Sequence, residues 1–240
     1  MAVVEVQRAI GDGASSISAT LAAAPTPGNL LIALLCGAPT GGAVAGWTVN
    51  NPGATTGDDG YIYARPVQTG DGQTFSFPVL GGWDTELLLT ELSGASGAIS
   101  YVAGDAAIVA NSVTSLALSA SAGSLAYILF GLFCYAVVPT VGADTLSNSF
   151  TRLDSRTSSL SAGYNSYFVL GSRSFASSGP TTTTLTAPNF SGNAGLPASP
   201  ISVVIASGAL GVVTIGNGPN PGGTIASGAF VGGNIGNNAT

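Results

Sequence analysis

Lysine and histidine are absent from this 240-residue sequence, and its five positive charges are all arginine. Without histidine the chain has no Ser-His-Asp or Cys-His nucleophile pair and no imidazole ligand for a metal ion. Without lysine it can form neither a Schiff base nor a Ser-Lys dyad. Because these absences exclude most side-chain catalysis, we predict that the protein is not an enzyme and that it uses no cofactor.

Charge of either sign is scarce along the whole chain. Charged residues make up 7% of it, against about 25% in an ordinary soluble domain. The net charge is −6, and no cluster of basic residues exists, so we expect neither nucleic acid nor an anionic membrane as a partner. The apolar excess indicates that part of the surface is buried against other subunits, although the abundant Ser, Thr and Asn would also hydrate a surface without charge.

The two cysteines, Cys36 and Cys134, stand inside apolar runs. A small thiol fits such a core position, so we expect both to be buried thiols, and a disulfide between them is the alternative if their strands are neighbours. The first residues lack a basic segment followed by an apolar stretch, which predicts no secretory signal. The longest apolar run, residues 125–138, is shorter than the roughly 20 residues that span a bilayer.

Short segments rich in Thr, Ser, Val, Ile and aromatic residues alternate with Gly, Asp, Asn and Pro. β-Branched and aromatic residues between turn residues are typical of strands, and no segment sustains a helical period of 3.6 residues with good helix formers. The sequence therefore predicts an all-β fold.

The predicted strands form two sets that resemble each other. Five pairs of segments match, namely 16–18 with 112–114, 27–34 with 122–129, 60–61 with 163–164, 73–75 with 183–185, and 88–94 with 202–208. Two similar sheets, each unable to bury its apolar face alone, would stack face to face. We therefore predict one two-sheet, jelly-roll-like β-sandwich over residues 1–208, built from halves of about residues 1–105 and 106–208.

A Gly- and Asn-rich segment, residues 209–240, follows the predicted sandwich. Isoleucine recurs in it at intervals of ten, at Ile215, Ile225 and Ile235. One interpretation is an extended C-terminal arm whose isoleucines anchor it on a neighbouring subunit. The alternative is a disordered tail in which the spacing is accidental, because its composition is typical of disorder.

Carboxylates are the remaining candidates for catalysis. Asp84 and Glu86 fall on one face of a predicted strand and have the spacing of a glycosidase pair, so polysaccharide cleavage is a third functional hypothesis. Glu91 falls on the other, apolar face. Because an unpaired buried carboxylate is costly, we expect it to meet Arg65 or Arg152.

Acidic turns are the candidate metal ligands, at residues 58–60 and 71–72. Neither has the ligand spacing of a calcium loop, which must supply six to eight oxygens. We interpret both as Asp-Gly turns that close hairpins, and we predict no metal site.

Aromatic side chains offer a route to glycan binding, because a sugar ring stacks on an exposed Trp or Tyr. The candidates for glycan or partner contact are Trp47, Trp83 and Tyr61. Both tryptophans follow a glycine at a turn, where the ring would also serve to pack the end of the sandwich. Both interpretations stay open on the sequence.

Four short motifs occur in order over about residues 15–95, with a degenerate second copy reaching residue 208. They are Pro27-Gly28-Asn29-Leu30-Leu31, Gly46-Trp47, a strand containing Tyr61, and Glu91-Leu92-Ser93-Gly94. In this order they resemble a β-sandwich family that is frequent among bacteriophage structural proteins of the minor tail and capsid decoration type. The chain differs from tail fibres in having no long fibre-forming repeat.

The resemblance implies a non-enzymatic virion protein that is assembled in the host cytoplasm and decorates or stabilises the capsid or tail exterior. Its partners would be other virion proteins and copies of itself, joined by subunit packing and the C-terminal arm. The alternative is a module of the phage adsorption apparatus that binds a receptor or a host surface glycan.

Overall fold

The structure is a computed structural model of the 240-residue chain. It describes residues 1–13, 16–37, 42–50, 60–79, 85–104, 106–134, 140–158, 165–188 and 197–217. Throughout these ranges the regular secondary structure is β-strand, and they contain no helix. The prediction of an all-β fold is therefore confirmed.

Nineteen strands are present in the described ranges. The first seven are β1 (Val4–Gly13), β2 (Ile17–Thr20), β3 (Leu30–Cys36), β4 (Thr48–Asn50), β5 (Gly60–Pro66), β6 (Thr74–Phe77) and β7 (Thr85–Ser93). The others are β8 (Ala95–Ala103), β9 (Ala106–Ala107), β10 (Ser112–Thr114), β11 (Ser119–Ala120), β12 (Leu125–Cys134), β13 (Thr145–Leu146), β14 (Thr151–Ser158), β15 (Asn165–Ser174), β16 (Gly179–Pro180), β17 (Thr184–Thr186), β18 (Pro197–Ser207) and β19 (Thr214–Asn217). We call β1–β7 the first half and β8–β19 the second half.

Two large sheets form the centre of the molecule. The first sheet has the strand order β1-β7-β3-β5-β4, and the second has the order β14-β15-β12-β18-β8-β19, with β9 also paired to β18. Read from β8 to β14, the second sheet runs β8-β18-β12-β15-β14. Each strand of the first sheet therefore has a counterpart in the second.

The two sheets face each other across the main apolar core. Ile32 and Leu34 of β3 pack in it together with Tyr127 and Leu129 of β12, and all four are at most 2% exposed. Burial of such aliphatic and aromatic surface is the dominant favourable term in folding, at about 25 cal/mol per Å². A face-to-face arrangement of sheets is what the sequence analysis expected of a β-sandwich, while the jelly-roll connectivity stays a prediction.

Small sheets cover the outer faces of the two large ones. Strands β2 and β6 cover the first sheet, and Ile17 of β2 packs near Leu31 of β3. The sheets β10-β17-β13 and β11-β16 cover the second, where Leu185 of β17 packs near Ile128 of β12. Because both faces of β3 are covered, it is buried at every position. This double burial explains why β3 and β12 are continuous apolar runs in the sequence.

The register of the two halves differs from the sequence comparison in two places. The comparison matched Tyr61 with Tyr164, but Tyr61 lies opposite Leu35 and Val169 lies opposite the corresponding Phe130, so the counterpart of Tyr61 is Val169.

The second difference is a shift of one residue between β7 and β18. That comparison matched Leu88 with Ser202, but the structure places Leu88 opposite Leu34 and Ile201 opposite the corresponding Leu129. Leu88 and Ile201 both lie in the central core. A slip of one residue moves a side chain to the opposite face of the sheet, so the counterpart of Leu88 is Ile201.

The boundaries of the halves and of the sandwich also differ from those predicted. Strand β8 precedes residue 105 but pairs with β18 of the second sheet, because the chain leaves the first sheet at Gly94, whose φ is +69°. Strand β19 lies beyond residue 208 and pairs with β8 in parallel. Its Ile215 packs against the central core, and this apolar contact extends the sheet to Asn217.

Cys36 lies at the end of β3 and is fully buried, as expected for a core thiol. The backbone of Cys134 lies in β12, opposite Asn165, and its side chain is outside the described part of the structure. The relation between the two thiols stays a prediction.

Candidate functional site

Trp47 packs against the outer core of the first half. Its ring lies edge-on to Phe75 and Phe77 of β6, with centroid distances of 5.9 and 5.2 Å. The guanidinium of Arg65 lies over the Trp47 ring, 5.1 Å from the centroid. Because neighbouring side chains already contact the ring on several sides, its placement favours the packing interpretation over stacking with a sugar.

Tyr61 and Trp83 complete the proposed glycan-contact set. Tyr61 is half-buried in β5, and its ring centroid lies 6.2 Å from that of the fully buried Tyr63. The Tyr63 hydroxyl donates a hydrogen bond to the carbonyl of Gly42 at 3.1 Å, and burial raises the pKa of Tyr63 above its usual value. Trp83 lies outside the described residues, so its part in glycan contact stays a prediction.

One of the three predicted arm isoleucines is visible. Ile215 lies in β19 beside Ile99 of β8 and is half-buried against the core of its own chain. Ile225 and Ile235 lie outside the described residues. Ile215 therefore contributes to the sandwich, and an arm that reaches a neighbour stays a prediction for the residues that follow β19.

Each of the five arginines contacts a group of its own chain. The contacts are Arg8 with Glu5, Arg65 with Asp71 at 2.8 Å, Arg152 with Asp144 at 3.2 Å, Arg156 with Asp154 at 2.6 Å, and Arg173 over the ring of Phe175 at 4.3 Å. The positive charge of the chain is therefore distributed over separate contacts within the chain.

Glu91 does not meet an arginine, contrary to the sequence prediction. It is fully buried in β7, and its carboxylate accepts hydrogen bonds from the side chains of Gln7 and Asn29, both at 2.6 Å, and from the backbone N–H of Thr26 at 2.8 Å. Burial alone would raise the pKa of Glu91, but these hydrogen bonds outweigh burial and hold the pKa below its usual value. Neutral donors thus replace the expected cation.

The hydrogen bond between Asn29 and Glu91 joins two of the motifs that carry the family resemblance. Asn29 belongs to the first motif and Glu91 to the last, and they are 62 positions apart in the sequence. Gly28 between Pro27 and Asn29 has a φ of +92°, which a side chain would disfavour. The motifs therefore have a structural role, because they fix the turn before β3 against β7.

The corresponding turn of the second half has the same backbone hydrogen bond. Asn29 N–H donates to the carbonyl of Thr26 at 3.1 Å, and Ser124 N–H donates to the carbonyl of Ser121 at 3.2 Å. The carbonyls of Asn29 and Ser124 accept hydrogen bonds from the backbone N–H of Val67 and Phe175, the residues directly after β5 and β15, at 2.8 and 3.0 Å. Ser124 is therefore the counterpart of Asn29, and Ser121 that of Thr26.

A groove of about 450 Å³ lies beside this second turn. Its lining consists of five serines and three small apolar residues, Ser100, Ser119, Ser121, Ser124, Ser178, Ala120, Val204 and Ala206. Ser124 and Val204 are buried at the floor, whereas Ser119, Ser121 and Ser178 are exposed at the rim. We call this feature the serine groove.

Glu86 is a second buried carboxylate on β7, and it lies on the face opposite Glu91. It is 1% exposed, and neither of its oxygens has a hydrogen-bond partner among the described residues. The nearest cation is Arg156, with its Nε 3.7 Å away. Burial raises the pKa of Glu86 to about 8, and the charge of Arg156 only partly opposes this rise.

The hypothesis of a glycosidase pair gains no support from Glu86. Its carboxyl group is enclosed between the sheets, where a polysaccharide has no access, and Asp84 lies outside the described residues. Asp71 lies in the turn between β5 and β6, where it binds Arg65 and accepts the backbone N–H of Gln68 at 2.8 Å. Because β5 and β6 belong to different sheets, this turn does not close a hairpin, and that part of the prediction is wrong. The turn at residues 58–60 is described only from Gly60 onward, and no cluster of three or more acidic or thiol groups suited to a metal ion occurs in the described ranges.

Several aliphatic side chains are exposed on the surface. Val4 and Val6 are 55% and 49% exposed on β1, which is an edge strand of the first sheet. Val109 and Val212 are 68% and 67% exposed in the second half. Exposed edge strands with apolar side chains are sites at which other chains readily associate.

Comparisons with known proteins found no family model, no curated protein and no solved structure that matches this chain. The described parts of the chain also contain no helix with the length and apolar character needed to cross a membrane.

Neither the hydrogen-bonded cluster around Glu91 nor the serine groove was predicted from the sequence. For Glu91, the polar residues Gln7 and Asn29 next to apolar strand positions were the available signal. For the serine groove, a signal existed in the match of the two halves, because Ser124 stands in the second half where Asn29 stands in the first. Because β7 and β18 were aligned with an error of one residue, the sequence comparison did not show that Val204 stands in the second half where Glu91 stands in the first.

Proposed function

We propose that this chain is a non-enzymatic structural protein of a bacteriophage particle, which acts by packing against copies of itself and against other virion proteins on the capsid or tail exterior. The observation that carries the proposal is the placement of the charged and the apolar side chains. Every arginine is engaged within the chain, while aliphatic side chains remain exposed. Contacts with a partner would then depend on apolar surface rather than on charge.

Edge strand β1 is the part of the surface best suited to such packing. Val4 and Val6 present apolar side chains beside Arg8, whose charge is already paired with Glu5. The motif order that resembles virion proteins supports the same role. The segment after β19 would extend the contact as an arm, with Ile225 and Ile235 as its anchors.

Mass photometry of the purified chain, alone and mixed with phage particles that lack it, tests this proposal. We expect oligomers that persist when salt is raised to about 1 M, because a high ionic strength screens contacts between charges and leaves apolar contacts in place. A chain that stays monomeric and does not bind the particles would contradict the proposal.

A Val4→Ser, Val6→Ser double variant refines the experiment. Both positions are exposed, so the fold should tolerate the change, while association should weaken. Val109→Ser is a matched control at an exposed valine of the second half. Equal association of the two variants would remove β1 from the contact.

A further inference from the structure

The serine groove occupies the position that the Glu91 cluster fills in the first half. Strand register and turn geometry give the counterparts as Val204 for Glu91, Ser100 for Gln7, Ser124 for Asn29 and Ser121 for Thr26. Three long polar side chains of the first half are thus replaced by short ones. The same backbone then leaves an open space of about 450 Å³.

The chemistry of the groove follows from these counterparts. In the first half the backbone N–H of Thr26 donates to a carboxylate oxygen at 2.8 Å, so the N–H of Ser121 stands where it can donate to a carbonyl-type oxygen. Ser121 and Ser124 hydroxyls bond each other at 3.0 Å, and each retains further hydrogen-bonding capacity. Val204 and Ala206 supply a small apolar surface beside them.

The charges of the molecule favour a neutral ligand over an anionic one. Among the residues that the structure describes, no charged side chain lines the groove, and the chain has a net charge of −6. The first half needs three N–H donors to hold one buried carboxylate, whereas the groove offers mainly hydroxyls. A neutral group with one carbonyl oxygen suits this lining better, and the rim serines favour a ligand that itself carries hydroxyls.

We propose that the serine groove binds a neutral N-acylated sugar. The acyl oxygen accepts a hydrogen bond from Ser121 N–H, and the acyl methyl group contacts Val204 and Ala206. The sugar hydroxyls bond the hydroxyls of Ser100 and Ser119. The volume lies within the roughly 300–1,000 Å³ of small-ligand pockets. The inference does not rest on the proposed assembly role.

Amide-detected NMR titration with N-acetylglucosamine tests the proposal on the full chain, and glucose is the matched probe without the acyl group. We expect shifts at the amides of Ser100, Ser121, Ser124 and Val204, with a dissociation constant in the millimolar range. Glucose should bind at least tenfold more weakly. No shifts at these amides, or equal binding of the two sugars, would overturn the proposal.

Filling the groove with the side chains of the first half gives a variant test. The triple variant Val204→Glu, Ser100→Gln, Ser124→Asn recreates the Glu91 cluster and should weaken N-acetylglucosamine binding at least tenfold. Ser100→Gln alone, at a half-buried position, is the milder variant if the triple variant does not fold. Val141→Ser, at an exposed residue that is not part of the lining, is the control, and unchanged binding in a filling variant that folds would overturn the proposal.

Mass photometry on the same samples separates this inference from the assembly proposal. Sugar binding by a chain that stays monomeric and does not bind phage particles would support the groove and contradict the assembly role. Oligomers that show no sugar-induced shifts at the groove amides would support the assembly role and contradict sugar binding in the serine groove.

Discussion

The two halves of the molecule use the same backbone arrangement and differ in what stands beside the turn before the central strand. In the first half, Glu91 accepts three hydrogen bonds and is fully enclosed. In the second half, Val204 and the neighbouring serines leave a groove. The sheets have corresponding strand orders, so the difference lies in a few side chains and not in the fold.

This difference shows that apolar pattern and turn geometry suffice to build each half. Both halves keep the backbone hydrogen bond within the turn, and both have a glycine with positive φ in it, Gly28 at +92° and Gly123 at +82°. The polar cluster is an addition in one half only. The place that the Glu91 cluster fills in the first half is therefore open to a ligand in the second.

The largest effect is expected from Glu91→Val, which gives the first half the residue of the second. The substitution leaves the donors of Gln7, Asn29 and Thr26 without their acceptor, so we expect a loss of about 3 kcal/mol in the free energy of unfolding. Because the folded-state pKa of Glu91 is lowered, its contribution is present above the unfolded-state pKa and is lost as pH falls through the folded-state pKa. Urea unfolding at pH 7 and pH 3 should therefore show a smaller difference from wild type at pH 3.

Glu86→Gln tests whether the two buried carboxylates on β7, Glu86 and Glu91, have pKa shifts of opposite direction. Because the folded-state pKa of Glu86 is raised to about 8, the wild-type protein should lose stability as pH rises from the unfolded-state value to about 8. The variant removes this dependence and should be more stable by about 2 kcal/mol at pH 8. Thermal unfolding at pH 5 and pH 8 measures the effect, and an unchanged pH dependence would refute the assignment.

Arg65 on β5 and Arg173 on β15 occupy equivalent positions in the two halves. Arg65 lies opposite Leu31, and Arg173 lies opposite the corresponding Ala126. Arg65 binds Asp71 and lies over Trp47, whereas Arg173 lies over a single ring. We expect Arg65→Ala to cost about 2 kcal/mol and Arg173→Ala about 0.5 kcal/mol in the free energy of unfolding. Urea unfolding of the two variants side by side tests this ratio, and equal losses would contradict it.

The smallest effects concern a pair of threonine contacts that both halves share. Thr20 bonds Thr74 at 2.8 Å, and Thr114 bonds Thr184 at 2.9 Å, and each pair is exposed. Thr20→Val and Thr114→Val should each lower stability by about 0.5 kcal/mol. Unequal losses in urea unfolding would show that the outer sheets of the halves are not held in the same way.

Much of the fold followed from local sequence patterns. Continuous apolar runs at β3 and β12, separated from other segments by glycine-containing turns, predicted buried strands in two similar sets. The alternation of apolar and polar residues and the preference of certain residues for turns act over a few positions, so a single sequence is enough to detect them. The alignment of β7 with β18 failed by one position, because a short apolar run gives little information about which face each residue occupies.

The candidate sites were less predictable. An arginine partner for Glu91 was a reasonable expectation from charge alone, but the structure brings Asn29 and Thr26 to it from a turn far away in the sequence. Trp47 was a candidate for sugar contact, and the structure surrounds it with Phe75, Phe77 and Arg65. In both cases the decisive neighbours come from other strands, and one sequence does not state which strands will be adjacent.

The all-β class, the scarcity of charge and the absence of histidine and lysine follow from the sequence alone, since they depend only on which residues are present and on their local order. Only the folded structure shows which donors enclose Glu91, that Glu86 has no hydrogen-bond partner among the described residues, and that small residues leave a groove beside Ser124. Those outcomes depend on contacts between residues that are distant in the sequence. Such contacts are fixed by strand register and sheet stacking, and both are properties of the whole fold.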